Sequence, residues 1–321
     1  MKLSKIYKPI ELDLVKVEEI LRSVTKVEPA WLAEMLDYSL SSGGKRIRPA
    51  LALLSGKFYD YSLDYLLPMA VAVELMHTAT LVHDDAIDNS LVRRGKPTIN
   101  SVWGEEKAVL LGDYLFARAG EFAADTQNLQ VVRLFSQTLA IISSGELEQA
   151  FTAFNTEQSR QGYLRRISCK TASLFSLATE SGAILSRAPQ ESIGILKDYG
   201  YNLGIAFQIV DDILDFIGTE AELGKPVGSD LAQGTLTLPA ILLLEQYPDG
   251  NPVKKSFNDE DRRENIKLAL KMVRESSIPQ ACYQMAADYC AKACRRLNLL
   301  PDNESHQALV QLAGFIMERR R

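Results

Sequence analysis

This sequence predicts an all-α fold, a single large helical bundle around a central cavity, and three observations predict it. Apolar residues recur at three- and four-residue spacing through six long segments. No alternating strand run bounded by Asn-Gly or Asp-Gly turns competes with them. Several of the segments are apolar nearly all round, which marks central helices rather than surface ones.

In chain order, the periodic segments are "ELDLVKVEEILRSV" (Glu11 to Val24), "LPMAVAVELMHTATLVHDDAI" (Leu67 to Ile87) and "NLQVVRLFSQTLAIISSGELEQAF" (Asn128 to Phe151). They continue with "KTASLFSLATESGAIL" (Lys170 to Leu185), "ILKDYGYNLGIAFQIVDDILDF" (Ile195 to Phe216) and "ALVQLAGFIMERRR" (Ala308 to Arg321). Breaks fall at Gly43-Gly44, at Gly95-Lys96-Pro97 and at Gly224-Lys225-Pro226. "QYPDGNPVKKSFNDEDRR" (Gln246 to Arg263) is polar enough for an exposed loop. None resembles an interdomain linker and no solenoid repeat is present, so residues 1–321 are expected to form one domain.

Composition narrows the function. A hydrophobic fraction of 46% suffices for one large core. A formal net charge of -5 gives no general attraction to nucleic acid, so an anion site must be built locally. "MKLSKIYKPIELDL" has neither the apolar run of a signal peptide nor the character of a transit peptide, and no uninterrupted apolar stretch of about 20 residues follows. The expectation is a cytoplasmic protein without an integral membrane segment. Cys169, Cys282, Cys290 and Cys294 are too few and scattered for a disulfide framework, and Cys290 and Cys294 lack the further soft ligands a zinc site needs.

"LVHDDAIDNSLVRRGKPT" crowds Asp84, Asp85 and Asp88 into five positions. On a helix, Asp84 and Asp88 lie one turn apart on the same face, roughly 6 Å along the axis, and repel each other. The apolar lead-in makes them project from the end of a core helix, which favours a cationic ligand. "VHDDAID" is echoed by "IVDDILD", with Asp211, Asp212 and Asp215 at the same internal spacing. One such triad is weak evidence, because acids often decorate helix ends. Two triads on inner helices can face each other across a cavity that only divalent cations would tolerate. All-oxygen ligation completed by water and phosphate is the preference of Mg2+, so the inference is a metal-bound diphosphate.

Cations accompany the acids: Lys45, Arg46 and Arg48 in "GGKRIRP", Arg93 and Arg94 in "RRGKPT", Lys170 in "CKTASL" and Lys225 in "GKPVGSD". Singly, each reads as a solvated loop charge. Together they exceed what two metal clusters need and suggest two diphosphates.

The ordered set "GGKRIRP", "HTATLVHDDAIDNSLVRRGKPT", "GELEQ", "KTASL", "FQIVDDILDF" and "GKPVGSDLAQGTLTLP" resembles the trans-isoprenyl diphosphate synthases, the polyprenyl synthetase family, and most closely their medium- and long-chain members. The resemblance runs from "GGKRIRP" to the C-terminus and implies the isoprenoid synthase fold. It implies a catalytic set of Asp84, Asp85, Asp88, Asp211, Asp212, Asp215, Lys170 and Lys225. Asp84, Asp88 and Asp211 would bind several Mg2+ ions that bridge the allylic diphosphate, with Asp85, Asp212 and Asp215 as supporting or water-mediated ligands. Arg93, Lys170 and Lys225 would contact that diphosphate, while Lys45, Arg48, His77 and Arg94 would hold isopentenyl diphosphate. Thr171 and Gln208 would line the reacting centre. On sequence alone, His77 also reads as a histidine packed inside a helix. The chain departs from many relatives at Gly234-Thr235, where they read Gly-Lys.

The implied reaction is ionisation of the allylic C–O bond, attack by the double bond of isopentenyl diphosphate and loss of a proton. No nucleophilic side chain is required. Terpene cyclases and squalene-type synthases would carry acid elements absent here. A noncatalytic partner subunit would have lost acids or arginines, and a structural scaffold would leave their pairing unexplained.

The growing tail should run along the helix carrying Asp84, past Thr80, with Ala79 on the shoulder and Met76 and Val73 deeper. Family members that stop at farnesyl or geranylgeranyl usually place a bulky aromatic at the position of Ala79 or Thr80, or insert two residues into the first triad. This chain has neither, so the expected product is hexaprenyl to decaprenyl diphosphate. The alternative is a bulky floor from another helix and a geranylgeranyl or farnesyl product. The resemblance also implies a homodimer, and a lipid product leaves peripheral contact with a membrane open.

Overall fold

The computed structural model describes residues 2–41, 43–219 and 226–318. Its helices are α1 (Leu3–Ile6), α2 (Glu11–Val24), α3 (Ala30–Leu40), α4 (Ile47–Gly56), α5 (Leu63–Ile87), α6 (Ile99–Trp103), α7 (Glu105–Asp125) and α8 (Leu129–Phe151). They continue through α9 (Arg160–Ile167), α10 (Ser173–Leu185), α11 (Gln190–Ile217), α12 (Ser229–Ala232), α13 (Leu238–Gln246), α14 (Pro252–Phe257), α15 (Arg262–Arg274), α16 (Ile278–Cys294) and α17 (Glu304–Glu318). The all-α prediction holds.

α5 and α11 end in the two acid triads, as the sequence predicts, and both are core helices. α5 packs along α7 and against α4, while α11 packs between α10 and α16. Leu66, Met69, Val71, Val73, Leu75 and Met76 are all fully buried. By length and composition α5 could cross a bilayer, but 67% of its most apolar window is buried inside the protein. Its hydrophobicity serves the core.

α11 lies close against α10 and the turn that precedes it. A Cβ on Gly204 would lie 2.6 Å from the Ala172 Cα, and one on Gly200 would lie 2.6 Å from the Phe175 carbonyl oxygen. Gly204 is one turn ahead of Gln208, so this contact sets where the second triad stands. Gly204→Ala is expected to destabilise the protein by about 1–3 kcal/mol, read as a lower midpoint in urea unfolding.

Two local features differ from the sequence expectation. The stretch read as an exposed loop contains α14, whose Val253 and Phe257 are buried. Asn251 organises it: its buried amide donates to the carbonyls of Leu243 and Tyr247, and its side-chain oxygen accepts from the Val253 N–H. Pro252 follows at the first helical position, where its missing N–H costs nothing. The "RRGK" stretch forms β1 (Val92–Arg93) and β2 (Lys96–Pro97), a minimal hairpin. Arg94 and Gly95 both have positive φ, 52° and 76°, as a tight two-residue hairpin turn demands.

Candidate active site

The first triad divides its labour. Asp85 is buried and both its oxygens accept from Arg93 Nε at 2.8 Å, so the hairpin clamps this carboxylate. Burial raises the Asp85 pKa and Arg93 opposes the rise. Asp84 and Asp88 instead line a cleft of ≈ 430 Å³ between α5, α7, α8 and the Gln233–Thr235 stretch. Burial raises the Asp88 pKa, with Lys170 opposing and Asp84 adding.

Lys170 and Thr171 sit on a single π-helical turn, Ser168–Ala172, between α9 and α10. Lys170 Nζ stands 3.2 Å from Asp84 and 2.9 Å from Glu146. Burial alone would lower the lysine pKa, but the charges of Asp84, Glu146 and Asp88 hold it above its ordinary value. Burial likewise raises Glu146, with Lys170 opposing. Glu146 belongs to the quoted "GELEQ" segment, yet its acidity alone is no reason to place it beside Asp84; only the packing of α8 on the π-helical turn that carries Lys170 does.

The second triad is arranged similarly. Asp212 is buried; it accepts from the Tyr163 hydroxyl at 2.6 Å and from Gln208 Nε2 at 2.8 Å. Burial, then the charge of Asp230, pushes its pKa up to about 7. Thr171 Oγ1 donates to Gln208 Oε1 at 2.6 Å. Asp215 accepts from Ser229 Oγ and from the Asp230 N–H. Asp211, by contrast, is exposed. Asp230, which the sequence reading did not single out, also raises Asp88, so it lies between the two triads.

A second, smaller pocket of ≈ 60 Å³ opens on another face of α5, lined by Glu74, His77, Arg46, Arg93, Arg94 and Lys96 among others. Burial, and then Arg48, Arg94, Arg93 and Arg46, push His77 well below its ordinary pKa, so it is neutral. Arg46 is taken up by Glu18 and Glu74. Arg48 stacks its guanidinium 5.0 Å from the Phe175 ring, and its Nε is buried without a hydrogen-bond partner. Burial lowers its pKa to about 10. A buried orphan donor beside several cations is what an anion site looks like before its anion arrives. Lys45 lies 5.7 Å from the Phe315 ring, and neither it nor Arg48 is among the lining residues of that pocket. Lys225 and Arg319 to Arg321 fall outside the described residues.

Of the four residues read as setting product length, Thr80 lines the acid cleft. Val73, Met76 and Ala79 are fully buried in helix packing and do not line it. Opposite Thr80 stand Phe116 of α7 and Ile142 of α8. Phe116 packs edge-on against His83, with ring centroids 5.4 Å apart. Thr235 also lines this cleft.

The described residues contain no closed cage of three or more His, Cys, Asp or Glu side chains. The donors are instead carboxylates spread around an open cleft, which suits a hard divalent cation that keeps water and phosphate oxygens in its shell. The acid set therefore fits a metal held jointly with a diphosphate.

Comparison with known proteins shows the family. The family model described as Polyprenyl synthetase matches residues 29–273. The chain belongs to the polyprenyl synthetase family. It is 38% identical over 320 residues to heptaprenyl diphosphate synthase component 2 of Bacillus subtilis, covering 100% of this chain and 92% of that protein. Among solved structures, a polyprenyl synthase from Caulobacter crescentus, complexed with calcium and isoprenyl diphosphate, superposes with a TM-score of 0.95 at 32% identity. That match covers 100% of this chain and 98% of the other. A decaprenyl diphosphate synthase from Rhodobacter capsulatus superposes at 0.93 with 36% identity, each chain fully covered. The polyprenyl synthetase fold is thus the all-α isoprenoid synthase fold, and the enzyme class is prenyl transfer.

Proposed function

We propose that the chain is the catalytic component of a trans-polyprenyl diphosphate synthase, joining isopentenyl diphosphate to an allylic diphosphate and ending at a medium- or long-chain product. The observation that carries this reading is the pairing, on two faces of α5, of an acid cleft and a cationic pocket. Asp84, Asp88 and Asp211 would hold Mg2+ ions, which supply the Lewis acidity that stabilises a departing diphosphate. Lys170 stays charged at neutral pH and is placed to take a share of the leaving-group charge. Arg48, Arg94 and neutral His77 would seat the second diphosphate, with Lys45 at the edge and Arg93 bridging the two sites through Asp85. Lys225 would add its charge to the allylic side. Thr171 and Gln208 would face the reacting carbons, and the proton would leave with the released diphosphate.

The wide cleft below the acids supports a long product. So do the names of relatives, which include heptaprenyl and decaprenyl synthases. Thr80→Phe is expected to shorten the product ladder by at least one isoprene unit and Phe116→Ala to lengthen it, both sized by chromatography after dephosphorylation. Unchanged ladders in both variants would exclude this cleft as the tail channel.

The name "component 2" supports a second arrangement, in which a further subunit is needed for full activity. The family resemblance favours a cytoplasmic homodimer of single-domain chains instead. The purified chain is assayed alone with Mg2+, labelled isopentenyl diphosphate and farnesyl diphosphate, with light scattering for its mass. Condensation abolished by chelator in a dimer of identical chains supports the first arrangement, and activity only after a second subunit is added supports the other.

A further inference from the structure

A continuous chain of hydrogen bonds runs from a buried tyrosine to the reacting centre. Tyr163 of α9 is fully buried, and its hydroxyl donates to Asp212 Oδ2 at 2.6 Å. The other oxygen, Oδ1, accepts from Gln208 Nε2 at 2.8 Å. Gln208 Oε1 in turn accepts from Thr171 at 2.6 Å. The arrangement is braced from behind. The Arg166 guanidinium lies 5.7 Å from the Tyr163 ring and donates to Gln158 and to the Leu236 carbonyl.

The two ends of a glutamine carboxamide are chemically different, and rotating it by half a turn exchanges a donor for an acceptor. Here the rotation would set Oε1 against the Asp212 carboxylate, acceptor against acceptor. The carboxylate can enforce this only while it is itself held, and the Tyr163 hydroxyl occupies the oxygen that Gln208 does not use. The dipole direction matters because an electron-poor allylic carbon is favoured by a carbonyl oxygen and disfavoured by an NH2 group.

We infer that Tyr163 is a positioning residue: its hydroxyl fixes Asp212, and Asp212 fixes the Gln208 carboxamide with its oxygen turned to Thr171 and the reacting centre. The inference rests on the prenyl-transfer reading above and adds to it a residue that does not touch substrate.

The test is Tyr163→Phe, which removes one oxygen and keeps the ring under Arg166. The expected result is a kcat about tenfold lower, as for a modest misplacement of a catalytic group, with KM for isopentenyl diphosphate unchanged. Calorimetric affinity for farnesyl thiodiphosphate, an unreactive allylic analogue, with Mg2+ should also be unchanged. In a Gln208→Ala background the same substitution should cost less than about twofold, because residues acting as one unit are not additive. Full activity of Tyr163→Phe, or an undiminished loss in the Gln208→Ala background, would overturn the inference while leaving the reaction intact. A wild-type chain inactive with and without added partner subunits would overturn the reaction and the inference together. Should Tyr163→Phe fail to fold, Asp212→Asn and Asp212→Leu together carry the test: both remove the carboxylate charge, but Asn can still accept from Gln208 while giving its NH2 to the Tyr163 hydroxyl, and Leu can do neither. The expected result is a kcat about tenfold lower for the Leu variant than for the Asn variant, and equal kcat values would overturn the inference.

Discussion

Asp84→Asn is expected to lower kcat by about 10³-fold, the scale of losing an interaction that stabilises developing charge, while the thermal midpoint moves little. The asymmetry follows from the site. Asp84 shares its helix face with Asp88 one turn on, so neutralising it relieves repulsion in the ligand-free protein. Its ion-pair partner Lys170 keeps Glu146 at 2.9 Å and is not orphaned by the change. On the proposed mechanism, what is lost is a ligand to the metal that would hold the diphosphate. Steady-state kinetics at saturating Mg2+, beside a melt without it, check both halves, and near-normal turnover would remove Asp84 from the reaction.

Lys170→Met is expected to be costly on both counts. It would leave Asp84, Asp88 and Glu146 around one cleft with the cation that now neutralises them gone. The ligand-free protein should lose about 1–2 kcal/mol, below the figure for a fully buried pair because these side chains border the open cleft. kcat/KM for the allylic substrate should fall about 10²-fold. A distinctive consequence is that added Mg2+ should raise the melting temperature more in the variant than in the wild type, since the ions take over the missing neutralisation. Calorimetric scans with and without Mg2+ measure it, and equal metal-induced shifts in both proteins would contradict this role.

How much of this the sequence discloses depends on the kind of signal. The acid triads are legible because both are local patterns at the ends of long periodic segments, and α5 and α11 bear them where the pattern places them. α7 is harder to read. Gly112 interrupts its apolar pattern because a Cβ there would lie 2.1 Å from the His83 ring, a requirement written in α5 rather than in α7. Glu146, Asp230 and Tyr163 acquire their places only when α8, the stretch after α11, and α9 converge on the triads, contacts that span 62, 142 and 49 residues of chain for Glu146–Asp84, Asp230–Asp88 and Tyr163–Asp212. Helical spacing stacks Val73, Met76 and Ala79 before the triad, yet the cleft is lined by Thr80, Phe116 and Ile142, while those three side chains are buried in helix packing, which periodicity along one helix does not reveal.

Mg2+-dependent chain elongation within the cleft below Asp84 and Asp88 is tested by incubating the purified chain with Mg2+, radiolabelled isopentenyl diphosphate and farnesyl diphosphate and sizing the dephosphorylated products. The expected result is a ladder that requires Mg2+ and ends between hexaprenol and decaprenol. A ladder ending at geranylgeraniol would contradict the open cleft, and no incorporation with any allylic primer would contradict the claim that this chain alone carries the reaction.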